Sequence, residues 1–257
     1  MPTEPQLEIM VMKVMKAKRL LTSTVATCLL VSSAMAQVTF TDDFNRADTP
    51  LNVDASVSIG ADYELVQYDG HSAPTVGIRS NQVIMGQLSA NDNAISPALI
   101  YKRSALPDTS VGGSFTVAGN ITTQNFPVAT HLYGLIFNRQ DDGSYYAARI
   151  QTGESSSAVL QFIKVGAGQA LEQLIGNVSN SMPLAPGSTY RLTVSSDAPG
   201  EFSYTLTGEN LDNDGTLSGI VSDKTVPLLG GYAGFYNNYG NSGSSFDDLS
   251  ITVVPEP

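Results

Sequence analysis

Two pairs of adjacent carboxylates, Asp42-Asp43 and Asp247-Asp248, lie near opposite ends of this 257-residue chain. Calcium takes six to eight oxygen ligands, and clustered carboxylates with backbone carbonyls can supply them. Asp42, Asp43, Asp247 and Asp248 are therefore the candidate ligands of a structural Ca2+, although an Asp pair can equally end a strand or form an Asx turn. A second acidic stretch, Asn210-Leu-Asp-Asn-Asp-Gly215, imitates the opening of an EF-hand loop. Val221 stands at its twelfth position, where a bidentate Glu is required, so the stretch reads as a turn. Sugar-binding faces commonly carry aromatic rings with Asn and Asp beside them. The chain has no Trp, and its richest aromatic stretch is "GGYAGFYNNYGNSG". Tyr232, Tyr236, Asn237, Asn238 and Tyr239 of that stretch, with Tyr145 of "DGSYYAAR", are the candidate glycan contacts. The alternative is that these tyrosines only cover a sheet. Catalytic signals are sparse. The two histidines, His71 and His131, are far apart, and no Gly-x-Ser-x-Gly elbow occurs.

The elements that must position these residues are strands. Short alternating runs such as "SFTVAGNIT", "LYGLIFNR", "TYRLTVSS" and "EFSYTLT" are separated by Gly, Asn, Asp and Pro, which is the pattern of a sandwich or barrel. In "TYRLTVSS", Tyr190, Leu192 and Val194 point one way while Arg191, Thr193 and Ser195 point the other. Asp142-Gly143 marks a hairpin and Pro186-Gly187 a type II turn. No helical periodicity of useful length, internal repeat or linker is present. The spacing predicts an all-β fold of about fourteen strands in two stacked antiparallel sheets, a jelly-roll sandwich spanning 37–254.

Charge narrows the function. With 13 Lys+Arg against 24 Asp+Glu the net charge is −11. A nucleic-acid binder needs a basic face to displace counterions, so no nucleic acid is expected as a partner. The N-terminal segment has a basic start (Lys13, Lys16, Lys18, Arg19), an apolar run from Leu20 to Val31, and Ala34-Met35-Ala36. That is the form of a secretory signal peptide, with cleavage expected after Ala36. The apolar run is shorter than the roughly 20 residues of a membrane span. Glu4 and Glu8 do not suit an n-region, so 1–11 are read as upstream of the true start at Met12 or Met15. Cys28, the single cysteine, falls inside this segment, and "VATC" fits a lipid-attachment site poorly. The remaining chain then has no thiol, no disulfide and no Cys-ligated metal. It carries 9 Lys+Arg and 22 Asp+Glu, once the four basic and two acidic residues of 1–36 are removed.

Four stretches in order, "FTDDFNRAD", "YGLIFNRQDDGSYYAARIQ", "LAPGSTYRLTVSS" and "GGYAGFYNN…GSSFDDLSIT", resemble the concanavalin A-like lectin/glucanase superfamily in its laminin-G-like branch. The resemblance covers roughly 40–253 and implies the same two-sheet jelly roll. It also implies that the first and last strands are neighbours, which would bring the two Asp pairs together. Retaining glucanases of that superfamily carry Glu-x-Asp-x-x-Glu on one strand, because the chemistry needs two carboxylates about 5–5.5 Å apart. That motif is missing. Glu209, Asp212 and Asp214 are wrongly spaced, while Glu154 and Glu172 stand alone. No enzymatic activity is expected.

The final Val254-Pro255-Glu256-Pro257 resembles the start of a PEP-CTERM sorting signal. That resemblance implies exosortase-type processing at the outer surface of a Gram-negative bacterium. The apolar helix and basic tail that follow in that family are not in these residues. Either the chain continues beyond them or the protein is released unprocessed. The combined expectation is an exported, non-catalytic module that binds polysaccharide or glycoconjugate in an extracellular matrix. The alternatives are a structural surface protein without a sugar ligand and, behind it, a glycoside hydrolase.

Overall fold

The computed structural model describes residues 36–67, 74–87, 98–111, 113–122, 131–152, 157–167, 172–178, 182–183, 187–209, 211–238 and 244–255. The signal-like segment, Cys28, His71, Glu154, Tyr239 and Glu256-Pro257 lie outside the described residues.

Among the described residues sixteen strands are formed: β1 (Val38–Asp42), β2 (Tyr63–Gln67), β3 (Pro74–Arg79), β4 (Gln82–Gln87), β5 (Ala98–Leu106), β6 (Ser114–Thr122), β7 (His131–Arg139), β8 (Tyr145–Thr152), β9 (Ser157–Val165), β10 (Glu172–Asn177), β11 (Met182–Pro183), β12 (Thr189–Ala198), β13 (Glu201–Thr207), β14 (Thr216–Ser222), β15 (Gly231–Asn238) and β16 (Ser244–Val254). Two four-residue α-helices, α1 (Ala55–Ser58) and α2 (Asp212–Gly215), and a 3-10 turn at Thr109–Val111 accompany them. All strand pairing is antiparallel. The first sheet runs β14-β13-β12-β6-β16-β4-β3, with β1 beside β16; the second runs β10-β9-β8-β7-β15-β5-β2, with β11 beside β9. This is the two-sheet antiparallel sandwich read from the strand spacing.

Alternation builds the core between the sheets. In β12 the burial pattern is strict, with Tyr190, Leu192 and Val194 wholly buried. The centre is aromatic. Phe137 lies 5.0 Å from Phe202 and 5.7 Å from Tyr146, and Phe235 stacks on Phe246 at 4.8 Å. Such pairs add to the area they remove from water. Gly119 leaves room for Phe235: a Cβ there would come within 2.6 Å of the ring. The β7–β8 hairpin turns where Asp142-Gly143 indicates. Gly143 takes φ +88°, and Asp142 Oδ1 accepts the Ser144 N–H at 2.9 Å.

The outer faces of the two sheets differ. That of the first sheet is polar, with hydroxyl pairs Thr39–Thr252, Thr116–Ser195 and Thr122–Thr189 at 2.8–3.1 Å. The second sheet carries buried apolar side chains on both faces. Tyr133, Leu135 and Phe137 of β7 enter the central core, while Leu132 and Ile136 join Tyr145, Ala147, Ile163, Val165 and Tyr236 in a separate buried layer on the opposite face. The near-continuous apolar runs of β7 and β8 carry this signature, because an antiparallel strand with one wet face would alternate.

Candidate functional site

The first strand pairs with the last, with Thr41 opposite Ser250 and Asp42 opposite Leu249. The four acidic residues named from the sequence therefore converge. β16 carries a bulge between Asp247 and Ser250, and Asp248 sits there at φ +50°. A bulge inserts an unpaired residue and re-aims side chains, and Asp is among the residues that tolerate this conformation. An open cleft of about 370 Å³ results, lined by Thr41, Asp42, Asp43, Arg191, Asp248, Leu249 and Ser250. Arg191 reaches it from β12 through a relay across three strands. Its Nη1 donates to Asn120 Oδ1 at 3.2 Å, and Asn120 Nδ2 donates to Asp248 Oδ2 at 2.6 Å.

The carboxylates are not equivalent. Asp42 Oδ1 accepts from the Phe44 N–H at 2.8 Å and from the Arg46 guanidinium, while Oδ2 accepts from Tyr63 OH at 2.9 Å. Burial alone would push Asp42 up. The hydrogen bonds from Arg46, the Phe44 N–H and Tyr63 outweigh it and hold the carboxyl below its ordinary value. Tyr63 is pushed up, by burial first and by the Asp42 charge second. These contacts have a structural purpose. They fix the turn in which Phe44 adopts φ +48° and drops its ring into the core, 5.7 Å from Tyr63 and 6.1 Å from Phe235. Asp43 Oδ1 caps the Asn45 N–H at 3.1 Å. Asp247 is held above its ordinary value, by burial and then by the charges of Asp248, Asp43 and Asp42, which exceed the relief from the Asp248 N–H.

Calcium is the expected occupant of this quartet, and the four carboxylates differ in how the protein already engages them. Both Asp42 oxygens are engaged by protein donors. Among the described residues, no three His, Cys, Asp or Glu side chains gather into a group that could hold a metal ion. The cleft also offers a set of acceptors (Asp43, Asp248), hydroxyls (Thr41, Ser250) and one guanidinium (Arg191). Such groups recognise vicinal hydroxyls. Thr41, Arg191 and Ser250 were not singled out in the sequence. Alternation does place Arg191 on the outward side of β12, but no local signal places it beside β16.

The candidate glycan residues divide. Tyr145, Tyr236 and Tyr232 come together on the outer face of the second sheet, with the first two rings 6.5 Å apart. Tyr145 and Tyr236 are only 2% and 1% exposed, so their rings pack in an apolar layer; Tyr232 is half-buried. Asn237 is buried too. Nothing of the Asn238 side chain is described, and Tyr239 lies outside the described residues. A guanidinium missed by the sequence reading anchors this face. Arg149 donates to Glu172 through both terminal nitrogens, to Gln161 at 3.1 and 3.2 Å, and to Tyr236 OH at 3.1 Å.

A third polar cluster ties the sheets together. Asp223, beyond β14, accepts from Lys164 of β9 at 2.8 Å and from Tyr146 OH of β8 at 2.6 Å. Lys164 also meets Thr225 at 3.0 Å and the Val226 carbonyl. Burial pushes Asp223 up, but the donors from Lys164, Thr225 and Tyr146 bring it down to about 2. Burial, with Asp223 second, pushes the Tyr146 phenol up. This network is fully satisfied and structural.

No family model matches the chain, and no curated protein matches it. Solved structures do. The chain is similar to the CBM2 module of the evolved Dit of Lactobacillus casei BL23 phage J-1, with TM-score 0.57 and 12% identity over 84% of this chain and 96% of that one. It is similar to a lectin from Bauhinia forficata in complex with GalNAc, with TM-score 0.51 and 9% identity over 85% and 98%. Xylan β-1,4-xylosidase from Bacillus halodurans C-125 matches at TM-score 0.51 and 14% identity, over 82% of this chain but 38% of the enzyme. Identities this low establish architecture alone: the chain folds as a two-sheet antiparallel jelly roll.

Proposed function

We propose that this protein is an exported, non-catalytic carbohydrate-binding module, and that the cleft beside β1 and β16 is its sugar site. The observation that carries the reading is that cleft itself. It is open, its volume of about 370 Å³ is at the small end of the range for ligand sites, and its walls offer carboxylates, hydroxyls and a guanidinium. Arg191 and Asp248 are held in place by Asn120, so little side-chain freedom is lost when they engage a ligand. The fold supports the reading, since the CBM2 module and the GalNAc-bound lectin share it. Export rests on the signal-like segment ending at Ala36, and surface sorting on Val254-Pro255-Glu256-Pro257. The missing Glu-x-Asp-x-x-Glu motif stands against the glycosidase alternative.

The test is a glycan array with the purified protein, in calcium and again in chelator. Binding to a defined polysaccharide in both buffers is the expected result, because the Asp42 carboxylate is neutralised by Arg46 and needs no cation. Asp43→Asn and Arg191→Ala should each weaken binding by about tenfold, the loss of one charge-assisted hydrogen bond. Tyr232→Phe should leave it unchanged. Loss of binding in chelator would return calcium to the Asp pairs. No binding by a folded sample would leave the structural surface protein as the better reading, one that the closed packing of Tyr145 and Tyr236 would also suit.

A further inference from the structure

Among the described residues β14 is an edge strand, with unusual composition. Thr216-Leu-Ser-Gly-Ile-Val-Ser222 has no charge and no proline, and its pairing with β13 runs without a bulge from Thr216↔Thr207 to Ser222↔Glu201. Natural sheets protect their edges with charges, prolines, bulges or covering segments, because unpaired N–H and C=O groups template further pairing. The other strands that end the two sheet orders show such devices. β3 is covered by the preceding segment, with Asn52 and Val76 exchanging N–H···O bonds at 2.9 Å. β10 carries Glu172 and a register break between Leu174 and Gly176. β2 carries Glu64. β14 instead presents Ile220, 65% exposed, on its outward face.

We propose that β14 pairs antiparallel with β14 of a second copy of this chain, about a two-fold axis at Gly219. The sequence of the strand is self-complementary about that residue. Leu217 falls opposite the second copy's Val221, and both face the core side. Thr216 falls opposite Ser222, and Ser218 opposite Ile220. The two Ile220 side chains then lie diagonally across the joint on the outward face, within reach of each other. Exposed Asp214 lies in the turn just before β14 and exposed Lys224 just beyond its end, so the antiparallel pairing brings the acidic end of each strand to the basic end of the other. Opposite charges at the two ends favour this orientation, and the isologous contact closes after two copies rather than growing into a fibre. A two-fold joint would present two sugar sites at once and raise avidity on a polysaccharide without any new contact to it. The pairing itself does not depend on the sugar reading.

The experiment is sedimentation of the purified protein over a range of concentrations. A dimer is expected. Ile220→Lys puts a gatekeeping charge on the outward face without touching the core and should weaken dimerisation at least about tenfold. Lys224→Asp should weaken it as well, and the double variant Asp214→Lys/Lys224→Asp should restore it, because the swap re-pairs the charges. A second measurement reads the register directly. Ser218→Cys/Ile220→Cys, made together, should form a covalent dimer on oxidation. A wild-type protein that stays monomeric overturns the proposal. So does a dimer that ignores both Ile220→Lys and the charge variants, a cysteine variant that does not cross-link, or open-ended association in place of a dimer.

Discussion

Asp223 shows how one residue ties this sandwich together. Its side chain is fully buried, and it gathers Lys164, Tyr146 OH and Thr225 from elements far apart in the chain. Its folded-state value near 2 lies below the ordinary 3.8. A carboxyl depressed in the fold adds stability at pH above the unfolded value, and that stability is lost as pH falls through the folded value. Asp223 should therefore contribute roughly 2 kcal/mol above about pH 4, fading between about pH 4 and pH 2. Urea unfolding of the wild type and Asp223→Asn across that window checks this. The gap between them should narrow as the pH falls, and a gap that stays constant would show that the Asp223 charge is not what stabilises the fold. Neither Asp223 nor Arg149 was legible as an anchor in the sequence. "VSDKTVP" and "YYAARIQ" announce a turn and a strand, but the partners Tyr146 and Glu172 arrive from 77 and 23 residues away. Pair identity at such separation is a property of the topology and not of local spacing.

At the scale of elements, much was readable because side-chain alternation has a period of two wherever one face is wet. β12 shows this in full, and so does the turn at Asp142-Gly143. Pairing of the first strand with the last was implied by the family resemblance, and β1 beside β16 bears it out. What escaped was the bulge in β16, since nothing in "SFDDLSITVV" marks which Asp is the extra residue. Asp248 takes that place at φ +50°, where a β-branched side chain is strongly disfavoured. Asp248→Gly should leave stability within about 0.5 kcal/mol, the lost Asn120 hydrogen bond being offset by relief of backbone strain. Asp248→Val should cost about 1–3 kcal/mol, since it meets the backbone penalty and also leaves the Asn120 amide without its acceptor. Thermal unfolding of the two variants separates these outcomes. Equal losses in both would mean that the carboxylate, and not the backbone conformation, is what β16 needs at this point.

For the whole molecule the deciding quantity is charge. A chain of net charge −11, with three aspartates around its sugar cleft and one arginine, repels a polyanion at every distance shorter than the screening length. A polysaccharide rich in uronic acids or sulfate would have to pay that repulsion before any hydrogen bond formed. A neutral glycan would not, since its hydroxyls donate to Asp43 and Asp248 and accept from Arg191 without net charge. We therefore expect selectivity for uncharged polysaccharide, with an affinity nearly flat in salt. Between about 20 and 300 mM NaCl the screening length falls from roughly 20 Å to below 10 Å. Over that range binding to a neutral glycan should change less than about twofold, because no counterions are released. Any residual binding to an acidic polysaccharide should strengthen as the repulsion is screened. Calorimetric titrations at the two salt concentrations distinguish the cases. Affinity for an acidic chain that weakens with added salt would place recognition on a basic surface, and with it the sugar site away from the aspartates of β1 and β16.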